Sequence, residues 1–176
     1  MNELRTEEAF WIDGEWIGWD GMPLREEEHP SRLAFLEWQD QVRQEYPKAE
    51  IALVPYFDHL LELAASHFEQ FRRHLQVYGE IGELYGAIQY GITLNKPLAQ
   101  GSDGRLGNDL VEIKTIAPHN RKQATTINLD RNFGKLLVVR IGADFEIEDR
   151  MICRKDLPKR SGGSYRLSWK KACSIS

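Results

Sequence analysis

The sequence predicts an α+β fold, helical in its first half and rich in strands in its second. Three observations carry this. Apolar residues recur at helical spacing between residues 30 and 90, period-two alternation takes over from residue 109, and a run of glycines marks the switch.

At 176 residues the chain can bury one sizeable core and is short for two comfortable domains. Hydrophobic residues at 41% and charged residues at 28% place it among ordinary globular chains rather than disordered ones. No apolar run approaches the length of a membrane span, and the acidic residues 1–8 do not read as a signal peptide, so no membrane partner is expected. Cys153 and Cys173 form neither a disulfide framework nor a metal-binding spacing, which favours a reducing compartment, with the cytoplasm as the expected one. Charge is unevenly spread. Residues 1–113 hold 9 Lys/Arg and 21 Asp/Glu, whereas residues 114–176 hold 14 and 6. A basic last third is a field to which nucleic-acid phosphates respond, unless the two parts interleave in space and neutralise each other.

Residues 10–19 (FWIDGEWIGW) place Asp13-Gly14 between aromatic and β-branched residues, a hairpin signal because both turn positions need positive φ. Trp11, Trp16 and Trp19 could stack on bases, but anchoring the hairpin to a core is the favoured reading. An acidic, solvated loop with Glu26, Glu27 and Glu28 follows. Pro30-Ser31 then opens a helix with Phe35, Trp38, Val42 and Tyr46 on one stripe, stopped by Pro47. A second helix runs from near Pro55 to about Gln76 on the stripe Leu60, Leu61, Ala64, Phe68, Phe71 and Leu75. Its histidines, His59, His67 and His74, are never four residues apart, so they read as surface or rim residues rather than a zinc pair.

Residues 78–90 (YGEIGELYGAIQY) form a third helical segment with Ile81, Leu84, Tyr85 and Ile88 apolar. Gly79, Gly82 and Gly86 each cost roughly 0.5–1 kcal/mol relative to alanine in a helix, which suggests that the backbone comes close to something. Glu83 lies one turn from Gly79 and Gly86. It either faces water or carries a function, since a carboxylate on a packing stripe needs a partner.

Residues 91–98 are a short extended piece, and the stretch around which the chain is organised comes next: QGSDGRLGNDLVEIKTI, residues 100–116. Gly101, Gly104 and Gly107 with Asn108 are turn chemistry, and residues 109–116 alternate. Val111, Ile113 and Thr115 take one face of the strand; Leu110, Glu112, Lys114 and Ile116 take the other. Glu112 and Lys114 are therefore neighbours, with Asp103 on a tight loop upstream. Two carboxylates from adjacent backbones and an ammonium are the ingredients of a hydrolytic magnesium site, in which the lysine positions water or stabilises developing charge. Glu-x-Lys alone is also common on solvated strands.

In residues 117–133, Pro118 and Thr125-Thr126-Ile127 make a poor helix, and Arg121 and Lys122 a basic loop. Residues 135–141 (KLLVVRI) read as a buried central strand, paired as a hairpin with residues 145–151. A basic tail starts near Lys155, with a turn over residues 161–164, and residues 165–171 are a last strand or the start of a helix.

The order of Glu83 on a helix, then Asp103, then Glu112 and Lys114 on a strand, then a buried strand resembles the PD-(D/E)XK nuclease superfamily over about residues 78–150. The resemblance implies a restriction-endonuclease-like core: a helix, a three-stranded antiparallel meander, a second helix and a further strand. Residues 1–77 would be an N-terminal hairpin and helical portion, and residues 78–176 the core with its basic tail, packed as a single compact domain. By position, Asp103 and Glu112 match the metal-binding acids, Lys114 the motif lysine and Glu83 the helix glutamate. The residue before Asp103 is Ser102 rather than proline. The resemblance further implies magnesium, or manganese, held by Asp103, Glu112, the Ile113 carbonyl and Glu83. The implied activity is phosphodiester hydrolysis in DNA, with Arg121, Lys122 and Lys135 as phosphate contacts and a homodimer if both strands are cut. The alternative it leaves open is an inactive nuclease-like fold that serves as a binding or regulatory module.

Overall fold

Both sequence periodicities produce the elements they predict. The computed structural model of the chain describes residues 9–12, 15–18, 22, 24–25, 30–96, 101–158 and 163–175. They form a mixed α+β structure in two compact units, Met1–Pro47 and Lys48–Ser176.

In the first unit, β1 (Ala9–Ile12) and β2 (Glu15–Gly18) pair antiparallel, with Ile12 opposite Glu15. The expected turn residues Asp13 and Gly14, the tryptophan side chains and the Glu26–28 loop lie outside the described residues. Helix α1 (Pro30–Glu45) stacks Phe35 on Trp38 at 5.7 Å between ring centroids and buries Val42.

The second unit begins with a 3-10 turn, Ile51–Leu53, and helix α2 (Val54–Phe71). This helix stops short of the expected Gln76. Arg72 takes a left-handed conformation (φ 54°), His67 Nδ1 lies 2.8 Å from the Arg73 carbonyl, and His74 stacks on Phe68 at 4.3 Å. The link thus folds back over the last turn of the helix. The expected boundary at residue 77 also moves, because α2 supplies Ala64, Phe57, Leu60 and Leu61 to a cluster with Tyr78, Ile81 and Ile141. The helix belongs to the core unit.

Helix α3 (Tyr78–Tyr90) leads into β3 (Thr93–Leu94), β4 (Gly104–Leu106) and β5 (Asp109–Ile116), an antiparallel meander. The chain then crosses through β6 (Ala124–Asn128) to β7 (Lys135–Ile141), which pairs parallel to β5, and returns in β8 (Ile147–Cys153), antiparallel to β7. Strand order is β3-β4-β5-β7-β8. The connector therefore holds a strand where the resemblance implies a second helix, as its β-branched residues dictate. β6 pairs antiparallel with β9 (Ser164–Ser168), which runs into α4 (Trp169–Ser174). The expected basic tail is thus folded structure: Leu157, Tyr165, Leu167 and Ala172 are buried in it.

The two faces of the sheet are covered differently. Val111 and Ile113 of β5 join Ile92, Leu137 and Val139 in a cluster against which Tyr85 and Tyr90 of α3 pack. On the other face, Ile116, Leu136 and Val138 meet Ile127 of β6, Leu167 of β9 and Ala172 of α4. Two glycines bring α3 down onto β5. A methyl group at position 82 would collide with Thr115 Oγ1, and one at position 86 would lie 2.9 Å from Leu137 Cδ2 and 3.1 Å from Ile113 Cδ1. Gly79, grouped with them in the sequence, has nothing within 4 Å of such a methyl. No described helix is long and apolar enough to cross a membrane.

Candidate active site

Glu112 is fully buried in the middle of β5, on the face away from α3. A carboxylate in that position requires compensating charge and hydrogen bonds. Two cations supply them. Lys114 Nζ is 2.6 Å from Glu112 Oε1, and Arg131 Nη1 lies 2.8 and 2.9 Å from the two Glu112 oxygens.

Asp103 reaches the same place from the loop before β4. Its backbone N–H donates to the Val111 carbonyl at 3.0 Å, and its Oδ2 accepts the Ile113 N–H at 2.7 Å. The loop is thereby fastened to β5 beside Glu112. Asp103 Oδ1 is 3.6 Å from Arg131 Nη1, and Oδ2 is 3.9 Å from Lys114 Nζ. Asn95 holds the other side of the loop, donating from Nδ2 to the carbonyl and hydroxyl of the buried Ser102. Lys114 also donates to the Ile113 carbonyl at 3.2 Å.

Lys114 borders two cavities. One, of about 350 Å³, is lined by Glu83, Asp103, Ile113, Thr115, Tyr78 and His119 among others. The other, of about 460 Å³, is lined by Glu112, Asn128, Asp130, Arg131 and Ser164. Glu83 is half-buried on α3. Burial first, then the negative charges of Asp103, Glu80 and Glu112, raise its carboxyl above the usual range, against the opposing pull of Lys114. Lys114 therefore pairs closely with Glu112 and more loosely with Asp103, and Glu83 lines the cavity that Asp103 and Lys114 border.

The predicted phosphate contacts fare differently. Arg121 and Lys122 are exposed on the turn after β5, two and three residues beyond His119. Lys135 instead pairs with Asp109, Nζ to Oδ2 at 2.9 Å, at the start of β7. That partner stands at the start of the neighbouring strand, a proximity created by the parallel register of Val111 with Lys135.

Among the described residues, no three Asp, Glu, His or Cys side chains close on one point as a ready-made metal cage. The donors that do converge are two carboxylates and the Ile113 carbonyl, all hard oxygens. Magnesium takes such donors a few at a time and completes its shell with water and substrate oxygens. Two cationic side chains already bridge those carboxylates, so the place is built for positive charge. In donor type these residues fit a divalent ion, while Lys114 and Arg131 already balance the charge of the two carboxylates.

One functional candidate, Arg131, escapes sequence reasoning, and His119, which the sequence places with Asn120 in the basic loop, takes a more definite position. Arg131 is 19 positions from Glu112, and only the polar turn Asn128-Leu129-Asp130-Arg131 before the buried strand marks it. His119, on the wall of the first cavity, lies 4.9 Å between ring centroids from His74, whose Nδ1 is 2.8 Å from the Tyr78 hydroxyl. Burial, and then the neighbouring His119, lower the His74 pKa. No protein-family model matches this chain, and a search of curated proteins finds no match to it.

Proposed function

We propose that the chain is a metal-dependent nuclease that hydrolyses phosphodiester bonds in DNA, with a core of the restriction-endonuclease-like type. One observation carries this reading: Asp103 and Glu112, from a loop and a strand, both pair with Lys114, and Glu83 lines the cavity that Asp103 and Lys114 share. The element order supports it, since helix α3 precedes an antiparallel meander and a further strand parallel to β5. The β6 strand in the connector is a departure from the superfamily pattern.

Asp103, Glu112 and the Ile113 carbonyl would hold magnesium or manganese, which when bound polarises a phosphate and makes a coordinated water more acidic. The protein's own groups do the rest. The Lys114 ammonium, fixed by Glu112 and the Ile113 carbonyl, orients water at the cavity wall and offsets charge developing on phosphate. Glu83, its carboxyl raised above the usual range by burial and the neighbouring carboxylates, hydrogen-bonds water at that wall. Arg121 and Lys122, exposed on the turn that follows His119, are the phosphate contacts this reading retains. One such site cuts one strand, so double-strand cleavage needs a second copy.

The test is a divalent-metal titration with plasmid, linear duplex, single-stranded DNA and RNA. Lys114→Ala should lower cleavage by about 10²-fold or more, and chelator should abolish it. Full activity of Lys114→Ala overturns the assignment. A second reading, the same core without catalysis acting as a binding module, is favoured by one observation: Arg131 already neutralises Glu112. It expects no change of Tm in millimolar Mg²⁺, where the nuclease reading expects a rise.

A further inference from the structure

Arg131 meets the carboxylates in an unusual way for an arginine. A guanidinium that binds a carboxylate normally presents two nitrogens to two oxygens as a fork. Here the single atom Nη1 touches both Glu112 oxygens, at 2.8 and 2.9 Å, and lies 3.6 Å from Asp103 Oδ1. One cationic point between two carboxylates is the arrangement of a metal ion rather than of a fork.

The backbone beneath it is fixed while the side chain has room. Asn128 Oδ1 accepts the Asp130 N–H at 2.9 Å, the Arg131 N–H donates to the Asn128 carbonyl at 3.3 Å, and Asp130 Oδ2 accepts the Gly163 N–H at 3.1 Å. The Arg131 side chain is 39% exposed and borders the cavity of about 460 Å³. Its charge also forbids sharing. Asp103 and Glu112 balance Lys114 and Arg131, so a dication added beside both would meet two unscreened positive groups around a buried carboxylate.

We propose that Arg131 is a displaceable internal counter-cation: it and a divalent metal compete for the Asp103 and Glu112 oxygens, and the metal enters only as the guanidinium leaves. This rests on the metal-site reading above and adds to it a positioning residue that sets how tightly the metal is held. Lys114, less exposed and on the same strand as Glu112, stays in place during the exchange.

Isothermal titration calorimetry of the full chain with Mn²⁺ tests the competition. Arg131→Gln should bind Mn²⁺ about tenfold or more tightly than wild type. Equal or weaker binding by a folded Arg131→Gln, with wild type binding normally, overturns this proposal alone. Absence of binding to both proteins at millimolar Mn²⁺ overturns it together with the nuclease reading. A measurement on wild type does not depend on the variant folding. The Arg131 Nε–Hε resonance should move as Mg²⁺ saturates the protein, and a resonance unmoved at saturation overturns the proposal.

Discussion

The Asp103 carboxylate accepts the backbone N–H of Ile113 at 2.7 Å, so a loop residue is fixed to the strand that bears Glu112 and Lys114. Structure and chemistry meet in that carboxylate and can be separated. Asp103→Ala leaves the Ile113 N–H without its acceptor and is expected to cost about 1–3 kcal/mol, while Asp103→Asn retains an acceptor oxygen and most of the stability. Both should lose metal-dependent cleavage. Thermal unfolding beside a cleavage assay checks this, and an active Asp103→Asn would remove the residue from the metal site.

Glu83 gives a pH dependence of definite sign. Its folded-state pKa stands above the ordinary 4.5, chiefly through burial, so ionising it costs the folded protein. Below pH 4.5 the carboxyl is protonated in both folded and unfolded chains, and the cost is absent. It appears as the pH rises through the raised folded-state value. Glu83→Gln should therefore be more stable than wild type at pH 7, by less than about 1 kcal/mol because the group is only half-buried. The advantage should vanish below pH 4.5. Tm measured across that range decides it, and a less stable Glu83→Gln at pH 7 contradicts the electrostatic picture.

The glycines of α3 make an internally controlled pair. Gly79→Ala meets open space and should stabilise by about 0.5–1 kcal/mol. Gly82→Ala drives a methyl group into Thr115 and should destabilise by about 1–3 kcal/mol. In a Thr115→Ala background the second cost should shrink, which a double-mutant cycle reads as a coupling term. Equal effects at the two positions would mean that α3 does not rest on β5 through Gly82.

What the sequence discloses of this protein is what short-range periodicity encodes. α3, β5 and β7 fall where their repeats put them, and the alternation in residues 109–116 assigns Val111, Ile113 and Thr115 to the face against α3 and Ile116 to the other. Asp103, Glu112 and Lys114 could be grouped because a single turn connects their strands. Arg131 could not, because its meeting with Glu112 depends on the path of the chain through β6, which no local pattern specifies. The same holds for the pairing of β6 with β9 and of Lys135 with Asp109. Phe145 shows a smaller version of the limit. It alternates with its neighbours as a strand residue would, yet it sits at φ 65° in the turn, and β8 begins at Ile147.

The β6–β9 pair has a consequence for how the protein comes into being. A ribosome releases β5, β7 and β8 before Ser164–Ser168, yet Leu167 and Ala172 complete the apolar cover over Ile116 and Leu136. The nascent chain therefore leaves that side of its sheet incompletely covered until β9 and α4 emerge. Asp130, next to Arg131, gains its bond from the Gly163 N–H only when the segment leading into β9 arrives.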